Sequence, residues 1–186
     1  MDKDGTLIPD IPFNVDPGLV AIDKGTIDGL RLLSELGYLL ILVSNQPGIA
    51  RGYYTEKDLQ KVWKRIDDLL RAERLSISGF YYCPHEPGAP LHLYNKICDC
   101  RKPLPGLIMK AARELDIDRE RSWMIGDILH DAEAGNRAGC KTILINNGNE
   151  GEWKITKWRK PTLIAKTIYE AASLIVRGQT ARAKMK

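Results

Sequence analysis

Residues 38–43 read Tyr-Leu-Leu-Ile-Leu-Val, a run with no polar interruption. A strand without polar alternation is stable only where both of its faces are covered, which is the position of a parallel strand packed between helices. Short apolar stretches at 79–82, 122–125 and 142–145 have the same character. Between the first two, Leu59, Val62, Trp63, Ile66, Leu69 and Leu70 recur at helical spacing, and Thr55 with Asp58 suits a capping box at that helix's start. Further helices are expected over 105–115, with proline in the first turn, over 131–138, and over 166–176, where Ile168, Ala171, Ala172 and Ile175 share one face. Strands alternating with helices imply an α/β protein whose parallel sheet is wound by right-handed crossovers. Ligands of such sheets bind beyond the carboxyl ends of the strands. Ser44-Asn45 and Asp127 each directly follow a strand, so both are expected at that edge.

The chemistry-bearing residues are consistent with that edge. Asp2-Lys3-Asp4-Gly5-Thr6 places two carboxylates one residue apart before a glycine turn. Asp2 suits a nucleophile that attacks phosphorus, and Asp4 suits the group that protonates the leaving oxygen and then deprotonates water. Gly5 lets the backbone turn sharply enough to bring both to one pocket. Ser44 and Asn45 offer donors to phosphate oxygens, and Lys102 adds a fixed positive charge against the same oxygens.

A second constellation is Cys83-Pro84-His85 followed by Cys98-Asp99-Cys100. Three thiolates and an imidazole form a closed Cys3His set, expected for tetrahedral structural zinc. Zinc would pin the loop 83–100 beside Lys102. His92 is read as a loop residue, and Cys140 as a small hydrophobe at a strand start.

The segments Asp2 to Thr6, Val43-Ser44-Asn45-Gln46, Arg101-Lys102-Pro103 and Gly126-Asp127 with Asp131 resemble, in that order, the four motifs of the haloacid dehalogenase-like (HAD-like) phosphohydrolases. The cysteine motifs, together with Ser-Asn-Gln-Pro-Gly-Ile-Ala-Arg-Gly, narrow the resemblance to the heptose bisphosphate phosphatase and histidinol-phosphate phosphatase group. It runs from residue 2 to about 148, and the long His85 to Cys98 stretch is closer to the heptose enzymes. The resemblance implies a Rossmann-like three-layer sandwich, and with no long insertion between Thr6 and the first helix the family's large cap domain is expected to be absent. It implies Mg²⁺ on Asp2, the Asp4 backbone carbonyl and Asp127, with Asp131 assisting through water or from outside the ligand set. It also implies hydrolysis of the 7-phosphate of D-glycero-D-manno-heptose 1,7-bisphosphate, with Arg51 and Arg101 as candidates for the distal phosphate or sugar hydroxyls.

In that family an apolar central strand precedes the first aspartate, and only Met1 does so here. Either the sequence is recorded from too late a start, which is the favoured expectation, or a truncated protein lacks its central strand. The chain as written is then expected to be poorly soluble or to dimerise by strand pairing, and to be a monomer otherwise. One domain over 1–177 and a disordered basic tail over 178–186 complete the expectation. With a net charge of +4 and no apolar run of membrane-spanning length, a cytoplasmic phosphatase acting on a small phosphorylated sugar is expected, with neither nucleic acid nor membrane as partner. The rivals are a histidinol-phosphate or broader sugar-phosphate phosphatase, a truncated inactive relative, and a zinc-dependent nucleic-acid module.

Overall fold

A computed structural model describes residues 1–183. Five strands, all parallel where they pair, form two sheets: β1 (Ile41–Asn45) with β2 (Gly79–Cys83), and β3 (Trp123–Gly126) with β4 (Lys141–Ile145) and β5 (Leu163–Ala165). What joins them is Met1–Asp2. The Val43 amide donates to the Met1 carbonyl at 2.9 Å, and the Asp2 amide donates to the Ile125 carbonyl at 2.9 Å. The Met1 amine completes the ladder by donating to the Ile41 carbonyl at 2.7 Å. Two residues thus carry out the end of the task of a central strand, giving the spatial order β2, β1, Met1–Asp2, β3, β4, β5.

The helices are α1 (Lys24–Glu35), α2 (Pro47–Ala50), α3 (Glu56–Ala72), α4 (Gly106–Glu114), α5 (Leu129–Ala138) and α6 (Ile168–Ala183). Successive strand residues point to opposite faces, and the two apolar clusters follow that alternation. Leu42, Ile125, Ile143 and Ile145 pack with side chains of α1, α3 and α6, whereas Val43, Tyr81 and Met124 pack with Leu107 and Ala111 of α4. This is the expected α/β three-layer sandwich.

Thr55 and Asp58 form the reciprocal capping box that starts α3, which buries Leu59, Val62, Trp63, Ile66 and Leu70. Strand β1 begins at Ile41 rather than at Tyr38, because the Tyr38 amide closes the end of α1 by donating to the Leu33 carbonyl at 3.1 Å. Helix α1 and the three-residue strand β5 stand outside the expected elements. Helix α6 continues to Ala183, so most of the tail expected to be disordered is helical. Residues 184–186 of that tail lie outside those described.

Beyond Met1 the space between β1 and β3 is open. A cavity of about 1340 Å³ runs there, lined by Met1, Leu40, Ile41, Ile125, Leu163 and Ile175 among others. Its walls include the strand edges that Met1–Asp2 does not reach, so backbone groups and apolar side chains both lack a neighbour. Each large apolar side chain buried there would contribute about 1.5–3 kcal/mol. An apolar extension of four or five residues ahead of Met1 is therefore expected to raise Tm by roughly 5–15 °C. An unchanged melting curve would contradict this reading of the slot.

Candidate active site and metal centre

The central stub, β1 and β3 deliver groups to the carboxyl edge of the sheet. Asp2 ends the central stub, Ser44 and Asn45 end β1, and Asp127 follows β3. Asp2, Asp127 and Asp131 are all buried, and one carboxylate oxygen from each lies within 4.8 Å of the others. Gly5, with φ 72°, makes this possible: a Cβ there would stand 2.1 Å from the Asp127 carboxylate. Gly126 is constrained in the same way, because a Cβ would meet Asp131 at 2.2 Å.

Lys102 supplies the cation. Its Nζ lies 2.8 Å from Asp2 Oδ1 and 2.6 Å from Asp131 Oδ1, and donates to the Val43 carbonyl at 3.2 Å. Burial alone would lower its pKa, but the charges of Asp131 and Asp2 outweigh burial and push it above the usual lysine range. Burial pushes the Asp131 carboxyl up to about 7 against the opposing pull of Lys102. Asp131, expected to act through water or from outside the ligand set, lies beside Asp2 and Asp127 in this carboxylate group.

Asp127 is held from both sides, accepting from Thr6 Oγ1 at 2.8 Å and from Asn149 Nδ2 at 2.8 Å. Burial raises its pKa. Asp4 is less enclosed. Its Oδ1 meets Lys3 Nζ at 2.6 Å, and its Oδ2 accepts from Gln46 Nε2 at 3.0 Å. Gln46 also donates to Ser44 Oγ at 2.8 Å and accepts from the Tyr54 hydroxyl at 2.6 Å. Burial raises the Asp4 pKa, against the opposing charge of Lys3.

Asn45 differs from expectation. Its amide brackets the Lys102 backbone, donating to the Lys102 carbonyl at 2.9 Å and accepting from the Lys102 amide at 3.0 Å. It fixes the lysine instead of presenting a donor to phosphate. Arg51 and Arg101 do converge, both on Glu86 of the cysteine loop. Gln46, Asn149 and Glu86 are contributors that sequence reasoning missed. Gln46 stands inside a quoted motif, but Asn149 and Glu86 carry no local signal.

The cysteine loop gathers as expected. The Sγ of Cys100 lies 3.0 Å from that of Cys83 and 3.2 Å from that of Cys98, and His85 Nδ1 is 3.3 Å from Cys100 Sγ. Four ligand atoms within 4.8 Å of one another, from three free cysteines and a histidine, suit a tetrahedral Cys3His zinc site. The three buried carboxylates, with one lysine against two of them, leave excess negative charge that suits a divalent cation with oxygen ligands.

A parallel α/β sheet with a buried carboxylate site at its carboxyl edge defines a hydrolase-type α/β protein, and the comparisons agree. The HAD-hydrolase-like family model matches residues 99–171. A D-glycero-beta-D-manno-heptose-1,7-bisphosphate 7-phosphatase of Yersinia pestis is 39% identical over 163 residues, covering 82% of this chain and 84% of that protein. The protein of the same description from Escherichia coli K12 is 39% identical over 155 residues, covering 80% of this chain and 78% of its own length. The chain belongs to this HAD-like heptose-bisphosphate phosphatase family. Among solved structures, a HAD-like phosphatase of Mesorhizobium loti superposes with a TM-score of 0.82 at 28% identity, over 96% of this chain and 84% of its own. The D,D-heptose 1,7-bisphosphate phosphatase of B. bronchiseptica, complexed with magnesium and phosphate, shares the fold with a TM-score of 0.77 at 24% identity, over 95% and 96% of the two chains.

Replacing Lys102 by Met would leave Asp2 and Asp131 buried without their shared cation. Loss of one partner of a buried pair costs about 3–5 kcal/mol, so Lys102→Met is expected to lower the urea midpoint of unfolding markedly at pH 7. A midpoint equal to that of the parent would contradict this account. Metal analysis is expected to find one zinc per chain, lost in Cys100→Ser together with thermal stability. Zinc retained in that variant would exclude Cys100 from the set.

Proposed function

We propose that the protein is a magnesium-dependent phosphatase that removes the 7-phosphate of D-glycero-D-manno-heptose 1,7-bisphosphate and leaves the 1-phosphate. Asp2 attacks phosphorus through a carboxylate oxygen; as the new P–O bond forms, the bond to the sugar oxygen breaks. Asp4, whose pKa burial raises, gives its proton to the departing alkoxide. It then takes a proton from water, whose oxygen attacks the acyl phosphate and frees Asp2 with inorganic phosphate. Asp2, the Asp4 carbonyl and Asp127 would hold Mg²⁺, which when bound would neutralise charge on the phosphate oxygens. Lys102 Nζ holds Asp2 in place from 2.8 Å, and the Ser44 hydroxyl stands nearby at the end of β1.

One observation carries the proposal: Asp2, Lys102, Asp131 and Asp127 meet in a buried cluster at the carboxyl edge. Its near-40% identity to relatives named for heptose bisphosphate supports the choice of sugar. Arg51 and Arg101, paired at Glu86, are assigned to the second phosphate. Cys83, His85, Cys98 and Cys100 would hold zinc, which would fix the loop that carries Glu86 and leads to Arg101. Thiolate ligation of this kind suits a reducing compartment, in line with a cytoplasmic enzyme. No helix among the described residues is long and apolar enough to cross a membrane.

Phosphate release from the heptose bisphosphate and from histidinol phosphate, with and without Mg²⁺, tests the proposal. The heptose ester is expected to be preferred, with activity abolished by chelation and reduced at least about a thousandfold in Asp2→Asn. Preference for histidinol phosphate would overturn the sugar assignment, and an active Asp2→Asn would overturn the mechanism.

A further inference from the structure

Glu86 follows His85 on the cysteine loop, and its carboxylate is shared by two arginines from different segments. Arg51 reaches it with both Nε and Nη2, at 2.5 and 2.7 Å. Arg101 approaches the same carboxylate with Nη2 at 3.5 Å and donates through Nη1 to the His85 carbonyl at 3.1 Å. The acid is the most enclosed of the three, with 18% of its side chain exposed against 38% for Arg51 and 30% for Arg101. The carboxylate therefore lies beneath and the guanidiniums lie outward. Arg51 is steadied again by the Phe13 ring, 5.3 Å from its Cζ, and that ring meets Tyr53 edge-on at 4.9 Å.

The position of this trio matters. Arg51 caps α2, which starts two residues past the end of β1. Arg101 immediately precedes Lys102, whose ammonium touches Asp2. Both arginines thus belong to segments that leave the same sheet edge as the proposed nucleophile. One carboxylate cannot neutralise two guanidiniums or accept from all of their N–H groups, so the trio keeps a net positive charge and donors to spare. Unpaired arginines would have to be ordered when an anion arrived; arginines already held lose less freedom on binding.

We propose that Glu86 is a positioning residue that fixes Arg51 and Arg101 as a pair and so sets the preference for a sugar carrying a second phosphate over its monophosphate counterpart. The inference rests on the phosphatase reading above. Glu86 touches neither the reacting phosphoryl group nor the metal cluster in this role; it acts through the two guanidiniums.

The test compares the metal-loaded parent with Glu86→Gln, which keeps the shape of the side chain but not its charge. The substrates are heptose 1,7-bisphosphate and heptose 7-phosphate. KM for the bisphosphate is expected to rise about tenfold with kcat little changed, while both constants for the monophosphate and the zinc content stay at parental values. In an Arg51→Ala/Arg101→Ala background the same Glu86 change is expected to have no further effect on the bisphosphate. An equal loss on both substrates, loss of zinc, or a bisphosphate KM that stays level or falls would overturn the proposal. Calorimetric Kd values for the two sugars, measured with Asp2→Asn and Asp2→Asn/Glu86→Gln, provide a reading independent of turnover. A parent that hydrolyses neither ester would sink the phosphatase reading, and the calorimetric comparison would still decide on Glu86: weaker binding confined to the bisphosphate supports it, and any other pattern refutes it.

Discussion

The ammonium of Lys102 is the contact on which the site depends. Asp2 and Asp131 are both buried, and without a shared cation two buried carboxylates so close together would repel one another. The lysine's position is over-determined. Asn45 grips its backbone amide and carbonyl, and the Val43 carbonyl receives its ammonium. Two strand ends and the Arg101-Lys102-Pro103 segment are thereby tied to one point. The backbone nearby yields to the same demand, since Gly126 leaves room for Asp131 and Gly5 leaves room for Asp127.

The cysteine cluster extends this arrangement outward. Cys83 is the last residue of β2, whereas Cys98 and Cys100 lie just ahead of Lys102. A metal on Cys83, His85, Cys98 and Cys100 would connect the outer strand to the segment that delivers the lysine. The same loop carries Glu86, which gathers the two arginines. With zinc in that cluster, the metal, the buried lysine and the arginine pair would form successive links of one support reaching outward from the sheet.

How much of this was legible in the sequence varies with the physics involved. The parallel sheet was readable because 38–43 has no polar alternation, and the α3 helix because its spacing and capping box agree. Asp2, Asp127 and the cysteines were readable because their chemistry requires those residue types at short spacing. Asn149 and Glu86 were not, since their partners Asp127 and Arg51 lie 22 and 35 residues away in the chain. Asn45 was placed at the correct strand end, but its hydrogen-bond partners depend on where Lys102 folds back, which no local pattern encodes. Strand β5 has three residues, too few for a periodicity to register. A cavity lies between β1 and β3 beyond Met1, and Met1–Asp2 fills only its inner end.

The central claim is that Asp2, steadied by Lys102, carries the phosphoryl group during turnover. Rapid acid quenching of the Mg²⁺-loaded protein with ³²P-labelled heptose bisphosphate, followed by peptide mapping, tests it most directly. The account predicts label on the peptide containing Asp2, formed and lost at rates compatible with turnover and absent from Asp2→Asn. Turnover without a labelled protein species, or label on a different residue, would contradict it.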